Sequence, residues 1–437
     1  MAATRARDGA FCQSRRVTLS RFGPALQERD YRLWWLAMLG MELALQAMEV
    51  AIGWEVYGQL GSTLDLGLIG LAEFVPMFVL ALPAGHLADR LPRRLVFAGA
   101  LFLGAAVGVG LAVVSSAGLH TLWPYLLLAL GAGVSMAVGT PAARAMPPTL
   151  VGSELLSSAM TLRSIAAQAG MVLGPAVGGA VYAISPGLVY LLAAGACVLS
   201  ALSVLAMHPR PAAEVEEAGH AETASLASVF EGLRFVGRTP ILLGAILLDL
   251  LAVLFGGAVA LLPVFARSVL HVGPTGLGLL RAAPAAGALL AAAVLTRRPL
   301  RGRAGRTLLT VVGLYGASIV VFGLSRVYLL SLVALGVSGF VDLFSVNIRA
   351  TIVALATPNR LRGRVNAVEM VFISASNQLG AFESGMAAFL VGTIPAVVGG
   401  GAITILIALG WRRLFPALAE VDHLEQLRPA EPATAAV

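Results

Sequence analysis

Lysine is absent from this sequence, and charged residues of every kind are scarce. All 30 basic residues are arginine, and Asp, Glu, Lys and Arg together make up 12% of the chain, against roughly 25% in soluble domains. Hydrophobic residues make up 58%. This composition excludes a soluble domain and predicts an integral membrane protein. The use of arginine alone suggests the GC-rich genome of a bacterium.

Disulfide frameworks, metal clusters and nucleotide-binding loops are missing as well. The two cysteines, Cys12 and Cys197, do not make a disulfide scaffold. The six histidines have no metal-ligand spacing, so we expect no structural metal and no other cofactor. No G-x-x-x-x-G-K-[ST] pattern for ATP is present. A membrane enzyme is also disfavoured, because no cluster of His, Ser and Cys supplies a nucleophile with its base.

Long apolar runs dominate the chain. A spanning helix needs about 20 mainly apolar residues, and these runs lack the short alternating segments of an outer-membrane barrel. Abundant Gly and Ala suit close helix packing in lipid. We therefore predict an all-α membrane protein with twelve transmembrane helices, at residues 32–57, 66–84, 95–117, 123–142, 161–183, 187–207, 241–266, 276–296, 307–324, 328–348, 366–393 and 396–414.

The arginines occur in clusters between the apolar runs. The net charge of +7 could indicate nucleic acid binding, but the clusters lie in the N-terminal tail and at residues 90–94, 297–306 and 360–364. With twelve spans these clusters all fall on one side of the membrane, and the positive-inside rule makes that side cytoplasmic. We expect a bacterial inner-membrane protein with both termini in the cytoplasm and no nucleic acid partner.

One polar segment, residues 208–240, divides the spans into two sets of six. Its first half is acidic and rich in Pro and Ala, which is typical of a flexible linker. Its second half places apolar residues at helical spacing and predicts an amphipathic helix on the membrane surface; these residues are Leu226, Val229, Phe230, Leu233 and Val236. The predicted parts are a cytoplasmic tail (1–30), a bundle (31–207), this linker (208–240), a second bundle (241–415) and a cytoplasmic tail (416–437).

A weak internal repeat relates the two halves. The segments that begin at residues 140 and 345 each place one arginine, Arg144 and Arg349, at the end of the fourth span of a half. A loop that contains proline and then a new span follow in both cases. The repeat predicts two pseudo-symmetric six-helix bundles, the arrangement in which two bundles rock about a central site.

Two glycine-containing motifs carry a resemblance to a known family. The segment "GHLADRLPRR" resembles the loop signature between helices 2 and 3 of the major facilitator superfamily, matched by Gly85, Asp89, Arg90, Arg93 and Arg94. The segment "GMVLGPAVGG" resembles the antiporter signature of its fifth helix, matched by Gly170, Gly174, Pro175, Gly178 and Gly179. The segments "PAARAMPP" and "LGAFESG" resemble the group of drug:proton antiporters that includes the enterobactin exporter. The resemblance covers roughly residues 30–415.

The resemblance implies roles for both motifs. The loop motif would form a cytoplasmic latch between the bundles, with Asp89 paired to Arg144; the alternative is a topological anchor that keeps the loop inside. The counterpart in the second half, "TRRPLRGRAGR", has no acid, so the latch is expected in the first half. The fifth-helix motif implies a bend at the bundle interface, whereas small residues could also serve close packing alone. The family further implies a monomer.

Acidic residues inside the apolar runs point to a polar passage. Glu42, Gln46, Glu49 and Gly53 form one stripe of helix 1, and an ionised acid at mid-bilayer costs roughly 2.5 to 3.5 kcal/mol. The resemblance places helices 1, 4, 7 and 10 around a central cavity. The stripe would then line the substrate path, with candidates for the opposite wall at Asp249 and Asp342.

These acids are candidates for proton coupling, because burial favours the neutral form of a carboxyl group. The alternative for each is a permanent hydrogen bond to a neighbouring helix. Other polar residues in or near spans are interpreted as interhelical pairs or interfacial groups; they are Glu73, Arg163, Gln168, Arg281, Glu369, Asn377 and Glu383. The arginine that many antiporters of the superfamily carry in the middle of helix 4 is absent here.

Together these features predict a secondary active transporter and not an enzyme. It would export a hydrophobic or amphipathic small molecule, such as a drug or siderophore, in exchange for protons, with membrane lipid around it. One alternative is a proton-coupled importer of a small metabolite. The other is a membrane protein that does not transport, such as a sensor or scaffold.

Overall fold

Twelve long helices make up most of the described structure. The computed structural model describes residues 23–208, 226–297, 302–422 and 427, with the backbone alone for residues 81–90 and 226–229. The first six helices are α1 (Arg29–Leu60), α2 (Thr63–Arg90), α3 (Arg93–Ala117), α4 (Leu122–Arg144), α5 (Leu156–Ile184) and α6 (Pro186–Leu205). The second six are α7 (Pro240–Gly256), α8 (Pro274–Arg297), α9 (Ala304–Leu324), α10 (Tyr328–Ala356), α11 (Arg362–Val391) and α12 (Thr393–Leu414). The predicted all-α membrane fold is confirmed.

Eleven candidate membrane spans among the described residues meet the length and hydropathy of a spanning helix. Helix α11 is the exception, because Asn377, Gln378 and Glu383 lower its hydropathy. It is nevertheless 30 residues long, more than the about 20 that a bilayer requires. It also packs against α2, α7 and α12, which places it within the helical bundle.

Two of the predicted boundaries are corrected by the backbone. Helix α2 continues to Arg90, so the first part of the "GHLADRLPRR" motif is helical and only Leu91 and Pro92 form the turn. Pro92 explains the end of the helix, because proline disfavours helical geometry at the residue before it. The span predicted at 241–266 is interrupted at Gly256 and Gly257 and resumes in short turns from Val259 to Val269.

Side chains from neighbouring helices satisfy the carbonyl groups that the break in α7 leaves free. The Tyr315 hydroxyl donates to the Gly256 carbonyl oxygen (3.2 Å), and the Ser384 hydroxyl donates to that of Gly257 (2.9 Å). An unpaired carbonyl in an apolar bundle would be costly. The break therefore depends on α9 and α11, and it brings backbone to the centre of the molecule.

The glycines of the fifth-helix motif allow two helices to approach α5 closely. A Cβ atom added at Gly174 would lie 2.6 Å from the Cβ of Gln46, and one at Gly178 would lie 2.6 Å from the Cα of Ala47. Gly170 meets Glu42 of the same helix, α1, in the same way. Gly179 points elsewhere: its added Cβ would lie 3.1 Å from the Cα of Gly278 in α8.

The motif thus serves two contacts, one inside the first half and one between the halves. Pro175 lies inside α5, and its carbonyl oxygen is in close contact with Gly278. The bend that Pro175 predicts in α5 at the bundle interface stays a prediction.

The two ends of the molecule are distinguished by α1. We call the side where α1 begins the proximal side and the side where it ends the distal side. A short connector helix (Leu226–Arg238) precedes α7 on the proximal side and packs on α7 and α11. Its Phe235 and Val236 are buried, whereas Phe230 is exposed. The N-terminal tail to residue 22, linker residues 209–225 and most of the C-terminal tail predicted at 416–437 lie outside the described residues.

Candidate functional site

A cavity of about 540 Å³ lies between the two halves. Eight helices contribute to its wall, namely α1, α2, α5 and α7 to α11, and no described lining residue comes from α4. The polar lining residues include Gln46, Glu49, Glu73, Arg281, Tyr315, Ser338, Asp342, Asn377 and Gln378. Apolar residues fill the spaces between them, among them Ile52, Leu66, Ile69, Met171, Ile319 and Leu335. The cavity is amphipathic, and backbone at the break in α7 forms part of it.

The structure brings some of the predicted site residues to this cavity and leaves others outside. Gln46, Glu49 and Gly53 line it from α1, and Asp342 lines it from α10. Glu42, at the proximal end of the same stripe, is not among the lining residues, and neither is Asp249. The resemblance also implies that helix 4 lines the cavity. No described lining residue comes from α4, whereas Met171 of α5 does line the cavity.

Glu49 forms an ion pair with Arg281 of α8. The pair joins the two halves, and the side chains are 38% and 18% exposed, respectively. Glu73 of α2 lies close enough to interact electrostatically with both groups. The sequence pattern predicts interhelical or interfacial roles for Arg281 and Glu73 and does not predict their place at the cavity. An arginine in the middle of an apolar helix requires a counter-ion, and this requirement was the available signal.

Asp249 is held by a buried ion pair with Arg349. The closest nitrogen and oxygen atoms are 2.7 Å apart, and the side chains of Asp249 and Arg349 are 10% and 5% exposed. This pair links α7 to α10 within the second half, which explains why Asp249 does not reach the cavity. Asp342 and Glu369 lie within its electrostatic field. The observed contact of Asp249 is structural, and its proton-coupling role stays a prediction.

In the first half, the sequence counterpart of Arg349 is Arg144, and the acid in its electrostatic field is Glu42 of α1. They interact electrostatically, but no direct ion pair joins them in the described structure. Arg144 instead donates a hydrogen bond to the Met370 sulfur of α11 (2.9 Å). The two arginines that the internal repeat relates thus differ in their contacts. Arg349 forms an ion pair with Asp249, whereas Arg144 is hydrogen-bonded to Met370.

Two arginines of the loop motif tie together helix ends of the first half. Arg93 donates to the Ala145 carbonyl oxygen at the end of α4 (3.2 Å), and Arg94 donates to that of Met207 after α6. Gly85, Asp89 and Arg90 are described by their backbone alone, so the side chains of Asp89 and Arg90 lie outside the described structure. The expected pairing of Asp89 with Arg144 therefore stays a prediction.

The two halves meet closely on the distal side. The Tyr57 and Ser268 hydroxyls share a hydrogen bond of 2.9 Å, and the Arg267 guanidinium lies 5.1 Å from the centre of the Trp54 ring. Helices α2 and α11 also approach closely on this side, because a Cβ added at Gly385 would lie 2.9 Å from the Cα of Gly67. The α5–α8 contact at Gly179 lies in the same distal half. Glycines therefore allow direct backbone packing where the halves close.

A buried carboxylate that the sequence analysis missed holds the distal end of the first half. Glu55 is 4% exposed and accepts hydrogen bonds from the hydroxyls of Tyr125 (2.9 Å) and Tyr190 (2.7 Å) and from the Gln59 amide (3.2 Å). The donors come from α4, α6 and α1 itself. Glu55 lies off the stripe of α1, so helical periodicity did not reveal it; its position inside a span was the remaining signal.

We expect Tyr190→Phe to destabilise the protein. Removal of this hydroxyl leaves a buried carboxylate oxygen without its donor, which costs about 1 to 3 kcal/mol. The midpoint of thermal unfolding of the detergent-purified protein measures the loss. Tyr57→Phe is the matched control, because the Tyr57 hydroxyl lies at an exposed contact. Equal midpoints for the two variants would contradict this role of Glu55.

A polar, charged cavity between two pseudo-equivalent sets of six spanning helices defines a class of protein. Such a molecule is a secondary active transporter of the major facilitator superfamily. The family model described as "Transmembrane secretion effector" matches residues 19–436. The chain belongs to this family and is a multi-pass membrane protein.

Relatives and solved structures agree with this assignment. The enterobactin exporter EntS of Citrobacter koseri is 28% identical over 384 residues, which cover 86% of this chain and 89% of that protein. EntS of Escherichia coli strain K12 is 27% identical over 407 residues, which cover 91% and 94%. A bacterial homolog of the human lysosomal transporter Spinster, solved in an inward-facing and unoccupied conformation, matches with a TM-score of 0.72 at 16% identity. That match covers 93% of this chain and 99% of the solved one, and it supports the fold.

Proposed function

We propose that this protein exports an amphipathic small molecule, such as a drug or siderophore, from the bacterial cytoplasm in exchange for protons. The observation that carries the proposal is a cavity between the halves with carboxyl groups on both of its walls. Glu49 and Glu73 belong to the first half and Asp342 to the second. An acid in an apolar slab is costly unless it is paired or borders water, so acids at a substrate cavity favour proton exchange.

The ion pair between Glu49 and Arg281 supports the coupling step. It spans the two halves, so it must be broken whenever they separate at this level. Protonation of Glu49 removes the charge that holds Arg281. In this proposal, proton binding therefore releases one half from the other, and the cavity opens to the opposite side.

The contacts on the distal side support a direction. The halves are packed together there, and the arginine clusters, by the positive-inside rule, support a cytoplasmic location of the proximal side. Although one hydrogen bond, from Arg144 to Met370, joins the halves on the proximal side, the close backbone packing is distal, and the described conformation would then present its cavity towards the cytoplasm, ready to accept cargo for export. The curated relatives are named as exporters of enterobactin, which supports the same direction and a siderophore as one candidate cargo.

Transport into everted membrane vesicles tests the proposal. Vesicles that contain the protein are given an acidic lumen, and uptake of radiolabelled enterobactin and of the dye Hoechst 33342 is followed. Uptake of at least one probe should depend on the protein and stop when a protonophore collapses the gradient. Accumulation in right-side-out vesicles instead would indicate the importer. No gradient-dependent flux of either probe in either orientation, relative to vesicles without the protein, would refute the proposal for these cargo classes.

We expect Gly179→Val to impair transport by preventing closure of the distal side. The new side chain would press against Gly278 and the Pro274 carbonyl oxygen of α8, both backbone, and overpacking of this kind costs about 1 to 3 kcal/mol. Uptake into everted vesicles should fall roughly tenfold, a change that corresponds to about 1.4 kcal/mol. Gly195→Val is the control, because nothing lies within 4 Å of a Cβ added there. Similar rates for both variants would contradict the assignment of this contact.

A further inference from the structure

The charges that line the cavity do not balance. The described lining contains three acids, Glu49, Glu73 and Asp342, and one base, Arg281. Glu49 is already paired with Arg281. Two acids therefore remain in excess, Glu73 on the first half and Asp342 on the second.

Neither of these two acids has a direct partner among the described residues. Their side chains form no hydrogen bond or ion pair there, although each lies in the electrostatic field of other charges. Both are partly exposed at the cavity wall. An unpartnered carboxyl group that is withdrawn from water either takes up a proton or binds a cation, so at a cavity these two groups can exchange a proton for a positively charged partner.

The surrounding charges do not reverse this excess. Behind Asp342, the Asp249 carboxylate is neutralised by Arg349 at 2.7 Å. Towards the proximal side, Glu42 faces Arg144. On the distal side, Arg267 is engaged over the Trp54 ring. No described base therefore offsets Glu73 and Asp342 at the centre of the cavity, and a cation placed between them would gain from the low dielectric, which strengthens attraction between opposite charges.

The remaining wall suits an apolar body with a positive centre. Ile52, Leu66 and Ile319 offer apolar surface on different sides. Tyr315 adds an aromatic ring, and aromatic faces attract cations. Its hydroxyl is already committed to the Gly256 carbonyl oxygen, so it is not available as a donor for an anion.

We propose that the cavity selects an organic cation with an apolar body and discriminates against anions, with Glu73 and Asp342 as the groups that recognise the positive charge. This inference rests on the proposed function in taking the cavity as the substrate site, and it adds the charge class of the substrate. A cation between the two acids contacts both halves at once. It would therefore stabilise the conformation in which they approach each other around the cargo.

Two probes of opposite charge and nearly equal shape test the proposal. Equilibrium dialysis measures the binding of radiolabelled tetraphenylphosphonium and tetraphenylborate to the full-length protein in detergent, with empty micelles subtracted. The phosphonium should bind at least about tenfold more tightly, a difference of about 1.4 kcal/mol. Equal affinity, or tighter binding of the borate at Arg281, would overturn the proposal.

Variants connect the preference to the two acids. In a Glu73→Gln/Asp342→Asn double variant, phosphonium binding should weaken until the two probes bind about equally, while borate binding does not weaken. Glu154→Gln is the control, because Glu154 is an exposed acid between α4 and α5 and outside the described cavity lining. A double variant that keeps the full preference would overturn the assignment. If the double variant does not fold, each single variant should still lose part of the preference for the phosphonium. Full preference in both single variants would overturn the assignment as well.

The outcome is separable from that of the proposed function. The binding assay uses no gradient and no membrane, so it reports the charge preference alone. Preference for the anion together with gradient-driven flux in vesicles would leave the transporter proposal intact and remove only the cation class. Cation binding without any flux would leave the charge preference intact and remove the transporter proposal for these cargo classes.

Discussion

A Glu49→Gln variant is expected to lose proton-driven export while it remains folded. Glutamine has nearly the same shape as glutamate but cannot take up a proton, and it offers Arg281 no charge. We expect the initial rate of gradient-driven uptake into everted vesicles to fall at least about 100-fold, which corresponds to about 2.7 kcal/mol. Glu154→Gln, the same substitution at an exposed position, should leave the rate unchanged.

A second variant separates the two roles that Glu49 could have. If Glu49 serves only as the counter-ion of Arg281, then the Glu49→Gln/Arg281→Gln double variant leaves neither member of the pair without its partner and should recover export. If Glu49 carries the proton, the double variant should remain inactive in gradient-driven export. Recovery of the gradient-dependent rate would therefore contradict the coupling role and leave a purely structural pair.

The second large effect is expected at the buried pair of Asp249 and Arg349. In Arg349→Met, Asp249 is left as an uncompensated charge in a site where its side chain is 10% exposed. Loss of one partner of a buried ion pair costs about 3 to 5 kcal/mol. The thermal unfolding midpoint of the purified protein should fall strongly, and the amount of folded protein in the membrane should fall with it.

Two further variants make this prediction specific. Arg29→Met breaks a surface pair in which Arg29 is 62% exposed, and such pairs contribute about 0 to 1 kcal/mol. Asp249→Leu combined with Arg349→Met removes both charges and should recover most of the lost stability, since apolar replacements of buried pairs are often neutral. A double variant as unstable as Arg349→Met would contradict the pairing. Its export rate would also show whether Asp249 is needed for coupling.

The cavity could be anticipated only in part from helical periodicity. The stripe of α1 predicts Gln46, Glu49 and Gly53 as neighbours on one face, because residues four and three positions apart share a helix face, and all three line the cavity. The same rule included Glu42, although the cavity does not extend one turn further along the helix. The same periodicity does not predict Glu55, which lies on the opposite face of α1. That face packs against α4 and α6, whose tyrosine hydroxyls donate to the Glu55 carboxylate.

The glycine motif of α5 shows a similar division. Its spacing predicted close helix contacts, and Gly170, Gly174 and Gly178 make them with α1. The pattern does not state which residue faces which helix. Gly179 contacts the other half of the molecule, and that distinction depends on the rotation of α5 between α1 and α8.

The class of molecule follows from composition and pattern. Scarce charge and twelve long apolar runs predict a helical membrane protein, because each span must satisfy its own backbone hydrogen bonds within lipid, and two halves with equivalent arginines predict two bundles. The partners of the charges follow only from the way the helices pack. Glu49 is joined to Arg281 across 232 positions and Asp249 to Arg349 within one half. Such pairs depend on which helix faces meet, and no spacing along a single helix contains that information.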